Sequence, residues 1–129
     1  MKRATTASDK TTRPQIKLRI RLDLPGDGQI GPGKIELLRQ IAVQQSIAAA
    51  AREMNMSYRR AWLLVQELNE LFTQPLVAKW LGGKSRGGAT LTQAGEKLVR
   101  SYDTLVQQAA EANRALLNDI LRSTQSHPG

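Results

Sequence analysis

Residues 46–69 read "SIAAAAREMNMSYRRAWLLVQELN", and the fold turns on how this stretch divides. Ser46 is a good cap for a short helix, "IAAAAREM", that ends near Met54. Asn55 then breaks the helix and Ser57 offers a new cap, so a further helix starts within three residues and crosses its predecessor steeply. That is the grammar of a helix-turn-helix. The four consecutive alanines could be filler of high helix propensity. The abrupt restart favours the other reading, a surface on which only methyl-sized side chains let a second helix approach closely.

The helix after Ser57 is predicted over 58–72. At 100° per residue, Ala61, Val65, Leu68 and Phe72 fall on one stripe flanked by Trp62 and Leu71, the predicted core side. The opposite side carries Arg59, Arg60, Leu63, Gln66, Glu67 and Glu70. Two arginines in a first helical turn sit unfavourably in the helix dipole, which implies a partner more attractive than the dipole is repulsive. In a helix-turn-helix this turn meets base edges, and arginine binds guanine in bidentate fashion. The plainer reading makes Arg59 and Arg60 solvated surface. Leu63 either touches a thymine methyl or belongs to a protein contact.

Working outward, residues 16–24 alternate apolar Ile16, Leu18, Ile20, Leu22 and Leu24 with mostly charged residues, the pattern of a half-buried strand that "PGDG" ends. Ile35, Leu38, Ile41 and Ala42 then recur at helical spacing, predicting a first helix over 32–44 with Pro32 in its first turn. Beyond Pro75, "LVAKWL" and 89–91 are predicted as two short strands around a glycine-flanked basic tip, "GGKSRGG". Two strands and a basic loop directly after a recognition helix make a wing. Lys84, Ser85 and Arg86 would then reach phosphate or the minor groove. The alternative is a flexible hairpin charged for solubility. A phosphate-loop reading of "GKS" fails because Ala78 stands where that motif needs glycine and no helix starts after Ser85.

Thr92 caps a last helix predicted over 93–121, with Leu98, Tyr102, Leu105, Ala109, Ala112 and Leu116 at alternating spacings of four and three. So long a helix implies self-association, and dimeric helix-turn-helix proteins read paired half-sites. The expected class is therefore mainly α with a small β component. It is a winged helix-turn-helix over 16–121, between a disordered basic arm at 1–15 and a disordered tail at 122–129.

Composition agrees. A chain of 129 residues fits one module. The net charge of +8 suggests a polyanionic partner, although residues 1–21 hold seven basic side chains against Asp9 and so supply +6 of it. The body must be judged on where its charge lies. There is no cysteine and no membrane-spanning run, so an intracellular, cytoplasmic protein without disulfide or thiolate metal site is expected. The only histidine, His127, is in the tail, which leaves no ordinary nucleophile, base or metal-ligand pairing for an enzyme. Glu67 and Glu70 share a face that could hold magnesium, but such a pair is usually just solvated. No cofactor is expected.

"SIAAAAREMNMSYRRAWLLVQELN", followed by "LVAKWLGGKSRGGATLTQAGEKLVRSY", closely resembles the amino-terminal winged-helix domain of the ModE-type molybdate-responsive transcription regulators, relatives of the LysR-type DNA-binding domains. The resemblance covers roughly residues 16–109. It implies a homodimer on double-stranded DNA, with Ser57, Tyr58, Arg59 and Arg60 near the major groove, Lys84 and Arg86 in the wing, and the last helix pairing subunits. Three departures stand out: Gln45 replaces a family glycine, Ser85 and Arg86 replace wing glycines, and the family's oxyanion-binding domains have no counterpart here. No residue therefore inherits a molybdate-binding role, and the effector is unknown. The competing functions are a winged-helix protein-interaction module, with Leu63 and Leu64 as its patch, and a non-specific nucleic-acid-binding protein driven by the arm.

Overall fold

The computed structural model describes residues 15–80 and 87–125. The expectations for the arm before residue 15, the wing tip at 81–86 and the tail after 125 fall outside these residues. Two compact units divide the chain, one of them Arg19–Leu105 and the other including Val106–Gly129.

In the first unit, β1 (Leu22–Asp23) pairs antiparallel with β2 (Gln29–Ile30), Leu22 opposite Ile30. Helices α1 (Pro32–Gln44), α2 (Ile47–Glu53) and α3 (Tyr58–Leu71) follow, then the hairpin β3 (Val77–Trp80) and β4 (Gly88–Leu91), and then the start of α4 (Gln93–Ala112), whose residues after Leu105 belong to the other unit. The hairpin runs in the register Val77 to Leu91 through Trp80 to Gly88. In the other unit, α5 spans Arg114–Ser123.

The long amino-terminal strand is reduced to two residues. Its alternation survives, with Ile20, Leu22 and Leu24 half-buried and Arg19, Arg21 and Asp23 exposed. The partner is what limits it, because Gly31 and Pro32 turn the chain into α1 immediately after Ile30. The Ile20 carbonyl instead accepts from the Tyr102 hydroxyl of α4 at 2.5 Å. The single helix expected over 93–121 is also interrupted. At Asn113 the side-chain amide donates to the Ala109 carbonyl at 2.7 Å, a local bond of the kind that competes with helix continuation.

α2 packs against both α1 and α3. Ala50 and Ala51 are fully buried there, as is Ala61 of α3, so the alanines serve close approach. The core also holds Ile30, Ile35, Leu37, Leu38, Ile41, Ile47, Val65, Leu68, Leu76, Val77, Ala89, Leu91 and Tyr102. Ala42, expected inside, is exposed, and Leu37 takes its place; Phe72, Trp62 and Leu71 are only half-buried. The sharp bend between α2 and α3 is a Schellman turn: Asn55 has φ 56°, its N–H donates to the Arg52 carbonyl at 3.2 Å, and Met56 N–H donates to Ala51 at 3.0 Å.

α4 is fixed at its start by Thr92, whose hydroxyl accepts from Gly95 N–H at 3.1 Å and donates to the Pro75 carbonyl at 2.7 Å. Gly95 is required by packing, since a side chain there would strike the Leu76 carbonyl. Arg39 of α1 then holds Asp103 of α4 in a bidentate pair at 2.6 and 2.8 Å. The hydrogen bonds from Arg39 keep the Asp103 carboxyl below its usual range, and the Arg39 guanidinium is correspondingly pushed up.

Candidate nucleic-acid interface

Ser57 has extended backbone, and its Oγ accepts from Arg60 N–H at 3.0 Å, so the cap read from sequence forms. This places Tyr58, Arg59 and Arg60 in the first turn of α3, all exposed, with Leu63 exposed one turn later. Ser57, Arg59, Arg60, Leu63, Leu64 and Glu67 line one shallow concavity. No acidic residue lies in that first turn, and among the described residues neither arginine is in an ion pair. The two guanidinium groups are therefore presented to solvent.

Glu67 behaves differently. Lys34 meets its carboxylate at 3.2 Å while also donating to the Gln29 carbonyl at 2.8 Å, which ties the middle of α3 to α1 and to β2. Among the described residues no three His, Asp or Glu converge as a metal site, and of Glu67 and Glu70 it is Glu67 that takes a lysine as its partner.

Asn69 sets where the wing leaves α3. Its Oδ1 accepts from Leu76 N–H at 2.8 Å and from Val77 N–H at 3.0 Å, and its amide donates to the Val77 carbonyl at 3.1 Å. β4 is anchored on its other side, where Ala89 N–H donates to the Gln45 carbonyl at 3.2 Å. Gln45 has φ 55° and ψ 34°, a left-handed cap on α1 and a conformation that favours glycine.

The root of the wing adds Lys79 and Trp80, which the sequence did not single out. Along α3, Tyr58, Trp62 and Gln66 recur every four residues and so face one way. Lys79 of β3 lies over the Trp62 ring, 5.0 Å from its centroid, and donates to Gln66 Oε1 at 3.1 Å. Trp80 covers Gly88 across the hairpin, where any side chain would collide with its indole. Tyr58, Trp62, Lys79, Trp80 and Gly88 line a second groove together with the start of α2. The available signal was the pairing of a large residue, Trp80, with a glycine at the strand register. Of the residues expected at the interface, Ser57 caps α3 and shares one concavity with Arg59, Arg60 and Leu63, Tyr58 opens on the neighbouring groove, and Lys84, Ser85 and Arg86 lie outside the described residues.

Residues 33–96 match the bacterial regulatory helix-turn-helix proteins of the lysR family. The chain is 40% identical over 88 residues to the DNA-binding transcriptional dual regulator ModE of Escherichia coli K12, which covers 68% of this chain and 34% of that protein. It is 46% identical over 100 residues to the molybdenum-pterin-binding protein MopB of Rhodobacter capsulatus, covering 78% of this chain and 36% of that one. The chain thus spans about a third of the length of these relatives. Among solved structures it is similar to that of a CbnR_DBD–DNA complex, with TM-score 0.50 and 22% identity over 65% of this chain and 94% of that one. This likeness speaks for the winged-helix fold. Residues 33–96 of this chain are a lysR-family helix-turn-helix domain of the ModE-like kind.

Proposed function

We propose that the chain binds double-stranded DNA at specific sequences, as a dimeric transcription regulator. The observation that carries this reading is the capped first turn of α3, with Arg59 and Arg60 exposed and without an acidic partner among the described residues. In the major groove each arginine can grip a guanine edge, at about 1–3 kcal/mol of discrimination apiece. Ser57 and Tyr58 lie beside them, and Leu63 follows one turn on. The wing residues Lys84, Ser85 and Arg86 take phosphate or the minor groove. The helices α4 and α5 pair two copies, so that two recognition helices meet two half-sites.

The reading is one of binding and not of catalysis, and a DNA partner places the chain in the cytoplasm. No helix among the described residues is long and apolar enough to cross a membrane. The E. coli relative's description as a DNA-binding transcriptional dual regulator and the lysR-family match support it.

Selection of bound fragments from a pool of genomic duplex DNA, at physiological salt with competitor, tests it. The expected product is an inverted repeat with half-sites about one helical turn apart. The double variant Arg59→Ala/Arg60→Ala should bind the selected and scrambled duplexes alike. Recovery of no preferred sequence by the unaltered protein sinks the proposal.

A further inference from the structure

Both tryptophans of the chain, and one of its two tyrosines, lie in the groove beside the wing root. Clustering of this kind is unexpected on a small domain whose aromatics could have served the core. Trp62 is only half-buried, while Tyr58 is 55% and Trp80 43% exposed. Their contribution to packing is correspondingly limited, and a surface with this much open ring area fits a ligand that is itself partly apolar.

Lys79 gives the groove its charge. Its ammonium is held by the Trp62 face and the Gln66 amide oxygen, neither of which neutralises it. A lysine in a carboxylate pair would be spent, whereas this one is positioned and, among the described residues, in no ion pair. Because Tyr58, Trp62 and Gln66 form one stripe of α3, the groove borders the face that bears Arg59 and Arg60.

We infer that this groove is a sequence-independent clamp for the backbone of one DNA strand. The Lys79 ammonium meets a phosphate, and the edges of Trp80 and Tyr58 pack on the adjoining deoxyribose. The occupant follows from the two halves of the groove: an anion for the lysine and a compact, partly apolar ring for the exposed aromatic edges. A sugar–phosphate backbone has both, repeated along the strand. An unstacked base fits less well, because the Trp62 face that would stack on it is already covered by Lys79. This inference rests on the DNA reading above and deepens it: the arginines choose the sequence, and the groove fixes the register of the strand beside them.

The test measures affinity for the selected duplex and for a scrambled duplex at several salt concentrations. Lys79→Gln should weaken both by about five-fold at ~0.15 M salt and lower the salt slope by about one. Lys79→Arg should restore the slope. Trp80→Ala should weaken both duplexes while leaving the slope unchanged. Since both tryptophans lie in the groove, intrinsic fluorescence should change on adding either duplex, and should still do so in Trp62→Phe, which leaves Trp80 as the sole reporter. An unchanged salt slope in Lys79→Gln overturns the inference, and so does tighter binding of a single-stranded oligonucleotide than of the duplex. The two readings separate cleanly. If Arg59→Ala/Arg60→Ala loses selectivity while Lys79→Gln keeps the full slope, the recognition helix stands and the clamp falls. If no sequence is preferred yet Lys79→Gln lowers the slope, the clamp stands and site specificity falls.

Discussion

Asn69 hydrogen-bonds both backbone groups of Val77, accepting from its N–H at 3.0 Å and donating to its carbonyl at 3.1 Å. A side chain near the end of the recognition helix thereby acts as a strand edge for the first residue of the wing. Together with the bond from Leu76 N–H, three backbone groups at a part-buried junction depend on one carboxamide. Asn69→Ala leaves two N–H donors without that partner, and we expect a loss of about 2 kcal/mol, within the range for unsatisfied polar groups. Asn69→Asp keeps the acceptor and should lose less. Urea unfolding checks this: the midpoint should fall with an unchanged slope.

The pair between Arg39 and Asp103 ties α1 to α4, and its energetics depend on pH in a definite direction. The folded Asp103 carboxyl lies below its ordinary value because Arg39 hydrogen-bonds its ionised form. Its contribution is therefore complete above the unfolded value of about 3.9, and it is lost as pH falls through the lower folded value. Both side chains are nearly half exposed, so solvent screening limits the pair to about 0.5–1 kcal/mol. Asp103→Asn should be less stable than the unaltered chain by that amount from pH 5 to 7, as read from unfolding midpoints. The gap should close on acidification below pH 4 and shrink at high salt. A gap that widened in acid would contradict the assignment.

Much of this architecture was legible because caps are local. Ser46, Ser57, Thr92 and Pro32 each mark a helix start through bonds or φ values set within a few residues, and those starts were placed where they occur. The exposed arginines followed from the helical period alone. What could not be read depends on distant partners. The alternation over 16–24 predicts a longer strand than β1, because the length of β1 is set by how soon α1 follows β2, a fact about the other strand. Asn69 looks like an ordinary polar residue until the chain returns eight residues later. The pairing of Lys79 with Trp62 likewise joins residues on different elements, and no periodicity within either one announces it.

Gln45 illustrates a departure whose meaning the structure makes physical. Its left-handed backbone is disfavoured for any residue with a Cβ, by about 1–2 kcal/mol, and glycine carries no such penalty but loses more chain entropy on folding. The bond that its carbonyl receives from Ala89 is a backbone interaction and survives substitution. Gln45→Gly should therefore stabilise the domain by about 0.5–1 kcal/mol, and a thermal scan should show a rise of a few degrees. Gln45→Val, with a β-branched residue in the same conformation, should lower the midpoint instead.

The dimer proposal makes its own demand on the far helices. Tyr102, expected in the pairing seam, is buried and engages Ile20 within its own chain, so it is occupied there. The apolar surface left for a second copy is Leu105 on α4 and, on α5, Leu116 and Ile120, which are 62% and 55% exposed and one turn apart. Burying side chains of this size contributes roughly 1.5–3 kcal/mol each. Leu116→Glu/Ile120→Glu replaces both with charges that a shared apolar seam cannot accommodate. Sedimentation at micromolar concentration should give a dimer for the unaltered chain and a monomer for this variant. Binding to the paired half-sites should fall steeply in the variant, while each single half-site should be bound as before. A variant that remained dimeric would exclude α5 from the seam, and an unaltered chain that sedimented as a monomer would remove the dimer itself.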